Sequence, residues 1–207
     1  MRHWIACAAL SFAAAAAAQD TLPDELVKNV MLEIQSIVAQ DKELQEGDHA
    51  KSIALIEQKA LPHFSFGSMT ASAVGPAWQK ATPEQKKRLL EEFRNLITRT
   101  YANSVSAFRD QQLDFRPLRM KSTDTDVTVQ VRVLQPGSQP VDLEYDMEKT
   151  VRGWKCYDVR VAGISLVVNY RTEFASLVRE GGVDRLIKAL EAKNKTPARP
   201  VAAAAKK

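Results

Sequence analysis

The spacing of apolar residues changes near Gln112, and this change constrains the fold more than any other feature of the sequence. Before it, residues 89–108 carry apolar side chains three and four positions apart. After it, apolar and polar residues alternate at 127–133 and again at 141–148. A helix returns to the same face about every 3.6 residues and a strand every two residues. The chain is therefore predicted to pass from helices into a sheet.

The clearest helix start is the segment Thr82-Pro83-Glu84-Gln85. The Thr82 side chain can accept a hydrogen bond from the backbone of Gln85, and the Gln85 side chain can reach back to the backbone of Thr82. A helix with a long apolar stripe is expected to follow. Further helices are predicted at residues 23–45, 48–60, 64–74, 164–180 and 183–193. Gly181-Gly182 separates the last two, because glycine readily ends a helix.

Four strands are predicted between these helices. Residues 127–133 and 141–148 each alternate between a buried and a wet face, and shorter strands are expected at 113–115 and 154–161. In the last strand, Tyr157, Val159 and Val161 are expected to share the inward face. Short turns between the strands favour an antiparallel meander. The predicted fold class is α+β: a curved antiparallel sheet of about four strands with several helices packed on one face.

The first 18 residues have the composition of a secretory signal peptide. Arg2 supplies a positive charge, an uncharged run rich in alanine follows, and Ala16-Ala17-Ala18 provides a small-residue cleavage site. One domain is then expected at residues 19–195. Residues 196–207 are rich in Pro, Ala and Lys and are predicted to be a disordered tail. We therefore expect an exported protein.

The sequence lacks the motifs that usually mark catalysis or cofactor binding. It has no zinc-ligand spacing, no glycine-rich phosphate loop and no G-x-S-x-G elbow, so neither a metal nor a cofactor is predicted. The formal net charge is +4, with basic and acidic residues interspersed, which disfavours nucleic-acid binding. Asp158 and His63 remain as candidate general bases. The simpler interpretations are an ion pair with an arginine or a loop cap for Asp158, and a helix cap or a surface residue for His63.

Two blocks of short motifs recur in an order and spacing that can be compared with known families. The first comprises Leu61-Pro62-His63-Phe64, Val74-Gly75-Pro76-Ala77-Trp78, Ala81-Thr82-Pro83-Glu84-Gln85, Phe93-Arg94 and Thr100-Tyr101-Ala102. The second comprises Trp154-Lys155-Cys156-Tyr157-Asp158-Val159, Gly163-Ile164-Ser165-Leu166-Val167, Asn169-Tyr170-Arg171 and Gly182-Val183-Asp184-Arg185-Leu186-Ile187. In order and spacing, these blocks resemble the MlaC family of periplasmic phospholipid-binding proteins, also known as toluene-tolerance proteins. The resemblance extends over nearly all of residues 22–193.

The resemblance implies a fold whose interior is an apolar cavity for lipid tails, with the head group near its mouth. It implies a carrier, not an enzyme, that moves phospholipid between the outer and inner membranes and maintains outer-membrane lipid asymmetry. The implied partners are a phospholipid ligand, an outer-membrane lipoprotein–porin complex and an inner-membrane ABC transporter bearing an MCE-domain protein. Contact with the membranes themselves would be transient.

The inward faces of the predicted elements would line such a cavity. The residues expected there are Val74, Trp78, Phe93, Ile97, Tyr101, Val105, Val129, Val131, Leu143, Tyr145, Tyr157, Val159, Ile164, Val167 and Tyr170. Arg160 and Arg171 are expected to contact the lipid phosphate. Two alternatives remain open: a periplasmic adaptor with a packed core, and an enzyme similar to ketosteroid isomerase with Asp158 or His63 as its base.

Overall fold

Helices precede and follow one antiparallel sheet in the computed structural model, which describes residues 21–135, 137 and 139–196. The predicted signal peptide at 1–18 and residues 197–207 of the predicted tail lie outside the described residues. Within the described ranges, no helix combines the length and the hydropathy that crossing a bilayer requires.

Six α-helices of the described chain precede the sheet. They are α1 (Pro23–Gln40), α2 (Lys42–Gln45), α3 (His49–Leu55), α4 (Phe66–Val74), α5 (Ala77–Lys80) and α6 (Pro83–Ala102). Between α3 and α4 the chain forms a π-helical turn (Ile56–Ala60) and a 3₁₀ turn (Leu61–His63), and another 3₁₀ turn (Ser106–Asp110) follows α6. The capping box that begins α6 is confirmed: Gln85 N–H donates to Thr82 Oγ1 at 3.2 Å, and Thr82 N–H donates to Gln85 Oε1 at 3.0 Å.

Five antiparallel strands lie in chain order across the sheet. They are β1 (Gln112–Phe115), β2 (Asp126–Leu134), β3 (Val141–Thr150), β4 (Gly153–Val161) and β5 (Ile164–Ser165). The first four confirm the predicted meander. The two-residue β5 is additional, and it forms because Ala162 and Gly163 both adopt positive φ angles, 50° and 78°. Consecutive positive φ angles make a tight hairpin turn, which folds Ile164 back onto Val161.

A register shift between β3 and β4 changes which residues of β4 face inward. Met147 pairs with Cys156 and Asp146 pairs with Asp158, so Tyr157 is the extra residue of a β-bulge. The Tyr157 side chain turns to the outer face, where its hydroxyl donates to Asp126 Oδ1 at 3.2 Å. The prediction that Tyr157 faces inward is therefore wrong, because a strict period of two cannot anticipate an inserted residue.

The last helical segment, α7 (Leu166–Lys195), follows β5 directly. Its backbone is non-helical at Gly181 and Gly182, which confirms the predicted break. Gly182 has a φ of 71° and a ψ of −169°, a combination that is open essentially to glycine alone. The break lets the two halves of α7 pack against the same core from different directions.

Two main apolar cores hold these elements together. The helical core joins α4, α6 and α7 around Met69, Phe93 and Phe174. The sheet core joins α1 to the inner face of β2, β3 and β4, with Val129 and Met147 among its buried residues. Phe64 lies against both cores.

Candidate functional site

An apolar cavity of about 220 Å³ lies on the inner side of the sheet, beneath α1. Its walls come from α1, the π-helical turn, the end of α6, the segment that follows α6, and strands β3 and β4. The lining residues are Leu26, Val27, Val30, Met31, Ile34, Ile56, Ala60, His63, Phe64, Tyr101, Ser104, Val105, Phe108, Tyr145, Met147 and Cys156.

The cavity exists because α1 covers the sheet without filling the space beneath it. Val27, Val30 and Ile34 recur at intervals of three and four residues, so one face of α1 points to the cavity. The sheet supplies Tyr145 and Met147, which lie two residues apart on β3 and therefore point to the same face. Apolar side chains thus border the space from both layers.

The titratable groups in the wall are held in their neutral forms. Burial raises the pKa of Tyr145, whose hydroxyl donates to Met31 Sδ at 3.6 Å. Burial also raises the pKa of the Cys156 thiol, which donates to the carbonyl of Asp158 at 3.1 Å. Burial and the neighbouring Tyr170 raise the pKa of Tyr101 to about 12. A protonated thiol is a poor nucleophile, so this wall suits an apolar ligand better than covalent chemistry.

Only part of the predicted lining reaches this cavity. Tyr101, Val105 and Tyr145 do so. Four further predicted residues belong to the sheet core beside it: Val129, Val131, Leu143 and Val159. Ile164 is 58% exposed, so the prediction that it points inward is wrong. The tight turn before β5 displaces Ile164 from the interior.

The remaining predicted lining residues pack in the helical core. They are Val74, Trp78, Phe93, Ile97, Val167 and Tyr170. The Phe93 ring is fully buried and meets the rings of Tyr170 and Phe174 edge-on, with centroid distances of 5.2 and 5.4 Å. The Lys86 ammonium lies 5.5 Å from the centroid of the Trp78 ring. None of these residues borders the cavity.

Neither arginine expected at the head group reaches the cavity wall. Arg160 lies on the outer face of the sheet, where its guanidinium pairs with Glu144 and Asp146, each at 2.9 Å. Arg171 Nε donates to the backbone carbonyl of Ser72 at 2.7 Å. The placement of both arginines at the cavity mouth is therefore wrong, because alternation along β4 and the start of α7 direct them to other surfaces.

The two candidate bases have different surroundings. The buried Asp158 carboxylate accepts hydrogen bonds from the Ser165 hydroxyl, from Val159 N–H at 2.9 Å and from Val167 N–H at 3.0 Å. It therefore anchors the start of α7 instead of facing the cavity. His63 does line the cavity, beside Phe64. Burial and the nearby Lys155 lower the pKa of His63, and Glu33 acts in the opposite direction.

Sequence reasoning missed the contribution of α1 and the π-helical turn. The apolar spacing of Leu26, Val27, Val30 and Ile34 was a sufficient signal for an inward face. The assignment of that face to a cavity depends on which other elements oppose it, and this requires the tertiary structure. Among the described residues, no group of three or more His, Cys, Asp or Glu side chains could hold a metal ion.

Comparison with known proteins identifies the family. The MlaC protein family model matches residues 28–192. A phospholipid-binding protein from Ralstonia solanacearum, solved in complex with a phospholipid, superposes with a TM-score of 0.77 and 34% sequence identity, covering 83% of this chain and 96% of that one. The intermembrane phospholipid transport system binding protein MlaC of Haemophilus influenzae is 21% identical over 151 residues, which are 72% of this chain and 70% of that protein.

A further relative matches over a shorter stretch of the chain. The toluene tolerance protein ttg2D of Pseudomonas putida is 26% identical over 106 residues, which span about half of each protein, 51% of this chain and 49% of the relative. The family match covers both the helices that precede the sheet and most of α7. The chain therefore belongs to the MlaC family.

Proposed function

We propose that this protein is a periplasmic phospholipid carrier that moves lipid between the outer and inner membranes and so maintains outer-membrane lipid asymmetry. The observation that carries the proposal is the apolar cavity of about 220 Å³ beneath α1, in a chain of the MlaC family. The solved relative with 34% identity holds a phospholipid, which supports the same class of ligand here.

The energetics of lipid transfer favour such a cavity. Burying one methylene is worth about 0.8 kcal/mol, so a tail leaves a bilayer only for a similarly dry environment. The cavity volume is below the roughly 300–1,000 Å³ that is usual for small-molecule sites. The space therefore suits part of one acyl tail.

The proposed role requires no catalytic group. Asp158 is engaged by three hydrogen-bond donors at the start of α7, and the Cys156 thiol is kept protonated by burial. We therefore propose a binding protein and not an enzyme. The relatives are named as binding, tolerance or transport proteins, which agrees with this choice.

Donor and acceptor complexes complete the proposed pathway. We propose an outer-membrane lipoprotein–porin complex and an inner-membrane ABC transporter with an MCE-domain protein as the two partners. The support is family membership, together with the name of the Haemophilus influenzae relative as the binding protein of an intermembrane phospholipid transport system.

The direct test is native mass spectrometry of protein purified without detergent, followed by extraction and identification of bound lipid. Ala60 lines the cavity from the π-helical turn, so Ala60→Trp places an indole in the space that the tails need. The matched control is Ala54→Trp at an exposed position of α3. We expect phospholipid on the wild type and the control, and little or none on the folded Ala60→Trp variant.

The alternatives predict different results. A wild-type protein that carries no lipid and takes up none from phospholipid vesicles would favour the adaptor with a packed core. Equal lipid content in all three folded proteins would show that the tails bind elsewhere.

A further inference from the structure

The turn between β3 and β4 carries an entirely exposed valine. Val151 is the first residue of the two-residue loop that joins Thr150 to Gly153, and its side chain is 104% exposed. Gly, Asn, Asp, Pro and Ser dominate turns, and two-residue hairpin loops favour Asn-Gly or Asp-Gly. A residue that departs from the local preference without any gain in packing is expected where function requires it.

The turn is held closed by residues other than Val151. The Thr150 hydroxyl donates to the carbonyl of Gly153 at 2.7 Å and accepts from Arg152 N–H at 3.1 Å. Gly153 has a φ of 85°, which glycine adopts without strain. Because the valine side chain contributes nothing to this turn, it is available for contact with another surface.

The charged residues nearest to Val151 are basic. Lys149 and Arg152 lie within two residues of it along the chain, and both are exposed. The Arg152 side chain forms no ion pair with any residue that the structure describes. We call Lys149, Val151 and Arg152 the hairpin tip.

The connection between β1 and β2 brings a further basic residue to the same end of the sheet. Lys149 N–H donates to the carbonyl of Thr125 at 2.8 Å, so the turn at residues 121–124 lies beside the hairpin tip. Lys121 is exposed in that turn. The Asp124 carboxylate accepts a hydrogen bond from Lys121 N–H at 2.7 Å and so closes its own turn.

The nearest carboxylates of β2 and β3 accept hydrogen bonds from protein donors. Glu148 Oε1 accepts from the Ser68 hydroxyl at 2.7 Å, and Asp126 Oδ1 accepts from the Tyr157 hydroxyl at 3.2 Å. Asp126 and Glu148 face each other in the paired part of β2 and β3. Beyond this pair, the charges on the β3–β4 hairpin are positive.

We propose that the hairpin tip, together with Lys121, docks the protein on an anionic phospholipid bilayer, with Val151 entering the head-group layer. Anionic lipids attract basic side chains over about one Debye length, roughly 8 Å at physiological salt. An isolated valine offers too little apolar surface for a specific protein interface, which usually buries about 1,200–2,000 Å². A bilayer surface, in contrast, binds apolar side chains flanked by Lys and Arg. This inference deepens the proposed function and rests on it.

The hairpin tip is joined to the cavity through both of its strands. β3 supplies Met147 and β4 supplies Cys156 to the cavity wall. At about 3.3 Å per residue, Met147 lies about 13 Å from Val151 along β3. Docking through the tip therefore brings this wall close to the bilayer, and the small number of contacts leaves the protein free to dissociate.

Co-sedimentation with vesicles measures docking separately from lipid loading. Vesicles of phosphatidylcholine alone are compared with vesicles that also contain phosphatidylglycerol, at low and at high salt. The tip variants are the double substitution Lys149→Gln with Arg152→Gln, and the single Val151→Asn, since asparagine is common in turns. Native mass spectrometry of the same proteins reports the lipid that they carry.

The matched controls replace exposed residues of α7. The double substitution Arg179→Gln with Lys188→Gln removes the same formal charge as the tip double variant. Val168→Asn replaces a valine that is 53% exposed. These controls separate docking through the hairpin tip from a general effect of charge or of exposed apolar surface.

We expect the wild type to bind vesicles that contain phosphatidylglycerol, to bind phosphatidylcholine vesicles far more weakly, and to dissociate at high salt. Each basic residue near an anionic surface contributes about fivefold, so the tip double variant should bind about 20-fold more weakly. Val151→Asn should bind about fivefold more weakly, because its side chain no longer gains from burial in the bilayer surface. Both tip variants should carry lipid at the wild-type level, because no residue of the hairpin tip lines the cavity.

Other outcomes overturn the docking proposal or the proposed function separately. Wild-type protein that carries lipid but ignores anionic vesicles would overturn docking and leave the carrier function standing. Equal losses in the tip and α7 variants would show that docking does not depend on the hairpin tip. Normal binding by Val151→Asn would overturn the entry of the valine into the head-group layer. Wild-type protein that docks but neither carries nor takes up lipid would overturn the carrier function.

Discussion

Replacing Phe93 by leucine separates the role of the helical core from that of the ligand cavity. The Phe93 ring is fully buried and meets Tyr170 and Phe174 edge-on, at centroid distances of 5.2 and 5.4 Å. Each such aromatic pair contributes about 0.5–1.5 kcal/mol beyond the burial of its area. Leucine retains much of the buried apolar area but loses both pairs. We expect the free energy of unfolding to fall by about 1–3 kcal/mol.

Urea denaturation followed by circular dichroism measures this change, and the slope with denaturant should stay constant while the midpoint falls. A double-mutant cycle with Tyr170→Leu isolates the contribution of the Phe93–Tyr170 pair. Bound lipid, measured by native mass spectrometry, should remain at the wild-type level because Phe93 does not line the cavity. A loss of less than about 0.5 kcal/mol, at the lower limit for a single aromatic pair, would refute the aromatic packing argument. Loss of lipid from a folded variant would refute the separation of core from cavity.

Two further predictions concern β4. Asp158→Ala should lower the free energy of unfolding by about 2–3 kcal/mol, because the buried Val167 N–H and the Ser165 hydroxyl lose their acceptor; an unchanged urea midpoint would contradict this anchoring role. Burial raises the pKa of the Cys156 thiol, so hardly any thiolate should exist at pH 8. The native protein should therefore react with a disulfide reagent far more slowly than the urea-unfolded chain does. Equal rates in the two states would show that the thiol is accessible and ionised.

The elements that the sequence predicted well are those determined by residues close together in the sequence. The capping box at Thr82 and Gln85 requires only a four-residue segment, and it forms as expected. The alternating faces of β2 and β3 follow from the period of a strand, so Val129 and Val131 are buried. The break at Gly181 and Gly182 follows from backbone freedom that other residues lack. Each of these features is a local property of the chain.

Predictions failed where the backbone departed from the regular two-residue period of a strand. A single extra residue in β4 turned Tyr157 to the outer face, where it bonds to Asp126. A tight turn at Ala162 and Gly163 left Ile164 exposed. Both departures depend on how β4 pairs with its neighbours, and no pattern within β4 alone reports that pairing.

The α+β class, the four-strand meander between helical segments and the family resemblance were all available from the sequence. Only the tertiary structure decided which apolar residues fill a core and which line a cavity. Phe93 and Val30 each lie on an apolar helical face, yet Phe93 is enclosed by aromatic rings while Val30 borders open space. The physical reason is that the hydrophobic effect has no direction: it draws a face inward without specifying a partner. Whether that face is fully packed depends on the volumes of side chains brought together from distant parts of the chain.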